Sequence, residues 1–183
     1  MIRRDQALEA VKENISNQNL IKHMLTTEAV MRALAERFGQ DADEWGLAGL
    51  LHDIDLDECK GDMSVHGRLS AEMAKGMGVP EAVCHAIVCH GMLGEPCVSL
   101  MDKALYCADP VTGLITAGAL IRPEKKLAAV EAKSILKRFK EKSFAAGANR
   151  EQIAKCAEIG LTLEEFITLS LKAMQSISEN LGL

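Results

Sequence analysis

Aromatic side chains are scarce in this sequence, with one Trp, one Tyr and four Phe in 183 residues. Clusters of β-branched residues are few as well, and apolar and polar positions nowhere alternate convincingly with period two. Strands draw on those residue types and that alternation, so both absences count against a sheet-based core. No uninterrupted apolar run approaches the roughly 20 residues of a membrane span, so no spanning segment is expected. The first residues, Met-Ile-Arg-Arg-Asp-Gln, carry the basic character of a signal peptide. Charges then recur at Glu9, Lys12 and Glu13 and leave no apolar segment behind it, so the expected location is cytoplasmic.

There is no C-x-x-C pair. Cys59, Cys84, Cys89, Cys97, Cys107 and Cys156 lie mostly within apolar helical patterns. They read as reduced core residues, in preference to a disulfide framework or a zinc or redox site. A net positive charge is also missing: the formal balance of −5 weighs against nucleic acid as a partner. No G-x-S-x-G elbow supports a serine hydrolase. No internal repeat, low-complexity tract or clear linker divides the chain.

What is present is a helical vocabulary of plentiful Ala, Leu and Met, with 48% apolar and 26% charged residues. A chain of this length buries about two-thirds of its unfolded surface, enough for one all-α domain. The first helix is expected to follow Asp5 and run through Val11 and Ile15 to the loop Ser16-Asn17-Gln18-Asn19. The second spans about Leu20 to Phe38, with Gly39 as its stop. Asp41 and Glu44 suggest a capping box for a third helix that ends in His52-Asp53. An acidic, non-helical run follows, Asp55 to Asp62. Ser64 is then expected to cap a helix reaching about Met77, and Pro80 to open one through Cys89 that closes at His90-Gly91. Ser99 with Asp102 suggests another capping box. Pro110 is expected to break that helix and leave Asp109 at the break. Pro123 should restart a helix through Lys142, Asn149 with Gln152 should cap a short one ending at Gly160, and Thr162 with Glu165 should cap the last.

The stretch with chemistry in it is Leu50-Leu51-His52-Asp53-Ile54-Asp55, where an apolar helix ends in imidazole beside carboxylate. Those are the two ligand types that suit a borderline or hard divalent cation. Of the five histidines, His23, His52, His66 and His90 stand near expected helix ends. His85, five residues before His90, lies about 140° away round a helix and should point elsewhere. Asp55, Asp57 and Asp62 invite a calcium reading. An EF-hand counted from Asp53 needs Gly and Glu where Glu58 and Ser64 stand, so a solvated acidic loop is the better account. Asp57 or Glu58 could still reach the site from that loop. Glu28, a little over one turn beyond His23, reads as a solvated helix residue, with orientation of a ligand histidine as its alternative role.

The order His23, His52-Asp53, His66, His90, Asp109 resembles the HD superfamily of metal-dependent phosphohydrolases, in its two-metal branch. The likeness includes the contexts Ala48-Gly49-Leu50-Leu51-His52-Asp53, Val65-His66-Gly67, Ile87-Val88-Cys89-His90-Gly91 and Leu105-Tyr106-Cys107-Ala108-Asp109. It covers roughly residues 20–115, with the helices of about 120–183 as a C-terminal extension of the helical bundle. The downstream part is similar to a small bacterial and archaeal group of predicted HD superfamily hydrolases. The resemblance implies that His23, His52, Asp53 and Asp109 hold one metal and that Asp53 bridges to a second held by His66 and His90. It makes His52 and Asp53 the centre of catalysis. Asp55 stands where many relatives carry the glycine of His-Asp-Ile-Gly, and a Gly-Tyr-Pro signature is absent, which disfavours cyclic dinucleotides as substrate.

The expected activity is hydrolysis of a phosphomonoester or phosphoanhydride of a nucleotide or other small phosphorylated metabolite, by a hydroxide held between two metals about 3.5–4 Å apart. Four imidazoles and two carboxylates suit iron or manganese first, then cobalt, nickel or zinc, over magnesium. Other readings are a mixed-valence di-iron oxygenase of the HD type, a non-catalytic metal- or nucleotide-binding module, and RNA or nucleotide-polyphosphate hydrolysis using the basic stretch. That stretch, from Arg122 to Lys142, places Lys133, Lys137 and Lys140 on one helical face as candidate substrate contacts at the pocket mouth; the competing reading is a solvated face. The helices after residue 120 are left with two roles, capping the pocket or forming a homodimer surface.

Overall fold

The computed structural model describes residues 2–91 and 94–183, and among them no strand occurs. The helices are α1 (Arg4–Asn14), α2 (Gln18–Phe38), α3 (Ala42–Leu51), α4 (Leu56–Cys59), α5 (Arg68–Gly76), α6 (Glu81–His90), α7 (Leu100–Leu120), α8 (Ala132–Phe139), α9 (Arg150–Ala154), α10 (Leu163–Ser176) and α11 (Ser178–Leu181). Short 3-10 turns occupy Leu127–Ala129 and Lys155–Ile159. None of these helices is long and apolar enough to cross a membrane.

Most helix ends are written in local chemistry. Asp41 accepts the backbone N–H groups of Asp43 and Glu44, and Asn149 accepts those of Glu151 and Gln152. Ser99 and Asp102 form a reciprocal capping box, as do Thr162 and Glu165. Gly39 closes α2 at φ 64°, a conformation open to glycine at no steric cost.

Four expectations about helix boundaries fail. The acidic run after Asp53 is not wholly irregular, since it contains α4. Ser64 does not cap α5: it turns back on the Asp62 carboxylate, and the helix starts only after Gly67, whose φ of 82° sets the chain's entry. Pro110 lies inside a continuous α7. Proline removes one helical donor, but Leu105, Cys107, Ala108, Val111, Leu114 and Ile115 are all buried around it, and that packing carries the helix through. The Lys-rich segment does not form one helix from Pro123 to Lys142: α8 covers only Ala132–Phe139. Its apolar Ile135 packs on Gly118 of α7, which turns Lys133 and Lys137 out to solvent.

Helix α7 runs through the core, with α2, α3, α6, α9 and α10 packed on it. Against α2, helix α3 comes unusually close. A Cβ placed on Gly49 would sit 2.7 Å from both the backbone nitrogen of Glu28 and the carbonyl oxygen of Thr27. Glycine there lets two backbones touch, and those two helices deliver His23 and His52. The same stretch of α2 carries the buried Glu28, which accepts both guanidinium nitrogens of Arg4 at 2.6 and 2.8 Å and that of Arg32 at 2.9 Å. Glu28 is therefore neither solvated nor a partner of His23: it ties α1 to α2.

Gly49→Ala should cost about 2–3 kcal/mol of unfolding free energy, because the new methyl meets backbone that cannot rotate away. Gly46→Ala meets only side-chain atoms of Arg32, Nε, Cζ and Cγ at 2.7–3.0 Å, which can shift where backbone cannot, and should cost less, about 1 kcal/mol. Urea titrations of the two variants check the difference.

Candidate metal centre

Six side chains from five segments converge, with Asp53 at their centre. His23 comes from α2, His52 from the C-cap of α3, Asp53 from the turn after it, His66 from the turn before α5, His90 from the last position of α6, and Asp109 from α7. Asp53 Oδ2 lies 3.5 Å from His23 Nε2 and 3.3 Å from His52 Nε2. Its other oxygen, Oδ1, lies 3.5 Å from His66 Nε2 and 3.3 Å from His90 Nε2. Asp109 Oδ1 joins the first pair, 3.0 Å from His23 Nε2 and 3.8 Å from His52 Nε2. One carboxylate thus faces two sets of donors, one with each oxygen.

Two glycines explain how His66 and His90 meet. A Cβ on Gly91 would lie 2.9 Å from the His66 carbonyl, and one on Gly67 would lie 3.3 Å from Gly91 Cα. The turn before α5 and the end of α6 pack backbone to backbone, so the histidine preceding each glycine enters the same space.

All four rings are held from behind at Nδ1. His52 Nδ1 pairs with the Gly49 carbonyl at 2.8 Å, and His90 Nδ1 with the Ile87 carbonyl. His66 Nδ1 pairs with Asp55 Oδ1 at 2.8 Å. His23 Nδ1 lies 3.0 Å from Thr112 Oγ1, whose hydroxyl donates to the Asp109 carbonyl. A carbonyl, a carboxylate and a committed hydroxyl can only accept, so each Nδ1 carries the proton and each Nε2 presents a lone pair inward. His23 Nε2 and His52 Nε2 then face each other at 3.1 Å. Two lone pairs at that distance repel unless a cation lies between them. Two atoms each about 2.1 Å from a common metal are about 3.0–3.4 Å apart, so the donor set fits a divalent metal in type and in spacing.

Without a metal, a proton takes that place. Burial pushes the His52 pKa down, but the adjoining Asp53 carboxylate and then Asp109 outweigh it and raise the ring to about 9. His66 is also raised, against its burial, by Asp55 and Asp53. Burial lifts the carboxyls of Asp53 and Asp109, yet the surrounding histidines more than reverse this, so both stay ionised.

Asp55 departs furthest from its expected place in a solvated loop. It is fully buried, with Oδ2 accepting the backbone N–H groups of Gly67 at 2.8 Å and Ser70 at 3.1 Å while Oδ1 holds His66. Asp57 does not reach the site, since it accepts the backbone and hydroxyl of Ser16. His85 points away, to Asp102 Oδ2 at 3.0 Å. Thr112 was not singled out by sequence reasoning, although its place three residues after Asp109 puts the two on one helix face.

A cleft of about 330 Å³ opens onto His23 and Asp109 between Pro110 and Gly113 of α7 and Ala145, Gly147 and Ala148. The segment before α9 therefore covers the site's mouth. Lys133, Lys137 and Lys140 are exposed and are not among the residues that line it. A larger groove of about 1240 Å³ runs between α2 and α10 and touches none of the six convergent side chains.

Two outcomes follow. Asp55→Asn would set an amide N–H₂ against either the His66 ring N–H or the backbone donors of Gly67 and Ser70. It should weaken metal uptake about 10–100-fold in a chelator-competition titration. In the metal-free protein the protonated His52 adds stability that is complete below the unfolded value of 6.5 and is lost as pH climbs through about 9. A metal must displace that proton, so its affinity should rise by up to about tenfold per pH unit across that window and level off above it. The same titration run at several pH values reads this directly.

The sequence matches the HD domain family over residues 20–110. Ribonuclease Y of Aquifex aeolicus is 30% identical over 174 residues, covering 90% of this chain and 30% of the relative. Ribonuclease Y of Desulfotalea psychrophila is 32% identical over 99 residues, covering 52% of this chain and 18% of the relative. That of Nitratidesulfovibrio vulgaris is 29% identical over 97 residues, 53% of this chain and 18% of the relative. The chain spans less than a third of the length of these relatives. No solved structure matches. The matched span holds all six convergent side chains and ends one residue past the last of them, Asp109; the chain belongs to the HD domain family.

Proposed function

We propose that the chain is a two-metal phosphohydrolase of the HD type, acting on a phosphomonoester or phosphoanhydride of a nucleotide or similar small molecule. The observation that carries this is the division of Asp53, with one oxygen toward His23 and His52 and the other toward His66 and His90. In this reading His23, His52, Asp53 and Asp109 hold one divalent transition metal, and Asp53, His66 and His90 the other, with iron or manganese preferred for a nitrogen-rich set. When bound, such a pair lowers the pKa of a water and neutralises charge on phosphoryl oxygens.

The chain's own residues supply position and access. The Nδ1 contacts of Gly49, Ile87, Asp55 and Thr112 fix ring orientation, so little rearrangement accompanies the reaction. His52 is fully buried and His66 and His90 nearly so, while His23 and Asp109 are part-exposed at the cleft. The phosphate therefore enters on the His23 side. Pro110, Ala145 and Ala148 present an apolar rim that limits water around it. The small volume and the neutral lining of the rim suit a single phosphoryl group with a short attached moiety. One domain includes both the motif-bearing core and the later helices, in keeping with a single buried cluster that runs from Ala7 to Leu181.

A second reading, RNA hydrolysis, draws on the relatives named Ribonuclease Y, one of which aligns over 174 residues. It would use the same centre on a phosphodiester.

Metal content and turnover of nucleoside mono-, di- and triphosphates should be measured with Mn, Fe(II), Co, Ni, Zn and Mg, beside a short single-stranded RNA. We expect about two metals per chain that depend on Asp53, release of inorganic phosphate from at least one small substrate, and a loss of activity of about 10³-fold or more in Asp53→Ala. Cleavage of the RNA alone, with steep salt dependence, would move the assignment to the second reading. No metal and no turnover would remove both.

A further inference from the structure

A second cluster of metal-ligating side chains lies outside this centre. His85, Cys89 and Asp102 bring one donor atom each within 4.8 Å of one another, from the outer face of α6 and the first turn of α7. His85 Nδ1 lies 3.0 Å from Asp102 Oδ2 and 3.5 Å from Cys89 Sγ. Cys97 stands beside them, its Sγ 3.7 Å from the Cys89 carbonyl. Two cysteines, a histidine and an aspartate thus meet around the connection between α6 and α7.

An independent observation comes from Asp102 itself. Its side chain is 1% exposed. Oδ2 is occupied, accepting the backbone N–H groups of Val98 at 3.0 Å and Ser99 at 2.8 Å. Oδ1 is buried and finds no partner among the described residues. A carboxyl group with a buried, unpartnered oxygen is costly unless something meets it. The helix cap needs only Oδ2, so the second oxygen is left over from that role.

We propose that His85, Cys89, Cys97 and Asp102 form a structural zinc site that pins the α6–α7 connection. Zinc takes four such ligands tetrahedrally, with metal–sulfur near 2.3 Å and metal–nitrogen near 2.0–2.1 Å, which sets ligand nitrogen and sulfur about 3.6 Å apart. The His85–Cys89 separation of 3.5 Å agrees with that. On binding, Zn²⁺ replaces the two thiol protons, which pass to solvent, and Asp102 Oδ1 closes the shell. The site does not depend on the reaction proposed for the first centre, because no side chain is shared. It touches that centre through the backbone, since Cys89 and His90 are consecutive and the clamped segment leads to the helix bearing Asp109.

Cobalt is the probe, because thiolate ligands give Co²⁺ an intense near-ultraviolet charge-transfer band that an all-histidine and carboxylate site cannot give. Reduced full-length protein, stripped with chelator, should be titrated with Co²⁺ and then with Zn²⁺. We expect a thiolate band whose final amplitude corresponds to one bound cobalt, which disappears on adding zinc, survives in Asp53→Ala and in Cys59→Ser, and is lost in Cys97→Ser and His85→Ala. Cys59 is the necessary control, since it lies beside Asp55 and His66. Circular dichroism of Cys97→Ser, whose position is part-exposed, establishes that the loss is not unfolding. Absence of the band in the wild type, or its persistence in both Cys97→Ser and His85→Ala, overturns the proposal. Loss of the band in Cys59→Ser overturns it too, by assigning the thiolate to the first centre. A failure of the two-metal reading would show separately, as cobalt stoichiometry unchanged in Asp53→Ala.

Discussion

The structure depends on a convergence of lone pairs. Four imidazoles point Nε2 inward, two ionised carboxylates stand among them, and the closest approach is 3.1 Å between the ring nitrogens of His23 and His52. Such an arrangement is unfavourable by itself and becomes favourable only around positive charge. The elevated pKa of His52 is the same fact seen from the metal-free side, because a proton is the smallest cation able to relieve it. Borderline nitrogen and hard oxygen donors gathered around such a place are the donor set that suits a divalent transition metal.

Holding those groups together requires backbones to approach more closely than side chains ordinarily permit. Gly49 brings α3 against the His23 turn of α2, and Gly67 with Gly91 brings the His66 turn against the end of α6. Helix α7 supplies Asp109 and the hydroxyl behind His23 by staying continuous across Pro110. In each case packing outvotes a local preference: glycine in a helix, positive φ at a helix start, proline in a helix interior. The locally unfavourable residues cluster where the site is assembled, and the large buried side chains, such as Leu34, Leu105, Leu114 and Phe166, hold them there.

That pattern also decides what could be read in the sequence. The all-α class, the caps at Asp41, Ser99, Asn149 and Thr162, and the six convergent residues were legible, because each rests on local chemistry or on a motif in fixed order. Asp55 was misread because acidic neighbours at Asp57 and Asp62 make a solvated loop look sufficient; only the fold shows that His66 and the N-terminus of α5 come back onto it. Pro110 was misread because the rule against the α region before proline is local, and the helix is held by contacts distant in sequence. Glu28 was misread for the same reason, its partner Arg4 being 24 residues away. Cys89 and Cys97 looked like unrelated core thiols, since nothing in a spacing of eight residues says that Cys97 comes back to the Cys89 carbonyl.

The two clusters meet at the end of α6, where consecutive residues face opposite ways. His90 Nε2 turns inward to Asp53 Oδ1 at 3.3 Å, while Cys89 Sγ lies 3.5 Å from His85 Nδ1 on the other side. A helix terminus is the least constrained part of a helix, since its last carbonyls lack intrahelical partners and its final turn frays. His90 occupies that final turn, yet its ring must be placed to within a fraction of an ångström of Asp53 to act as a ligand. The Ile87 carbonyl and the Gly67 contact hold it from within. Cys89, His85 and the capped first turn of α7 hold the same backbone from outside, so a side chain at the frayed end of a helix acquires the fixity of one in its middle.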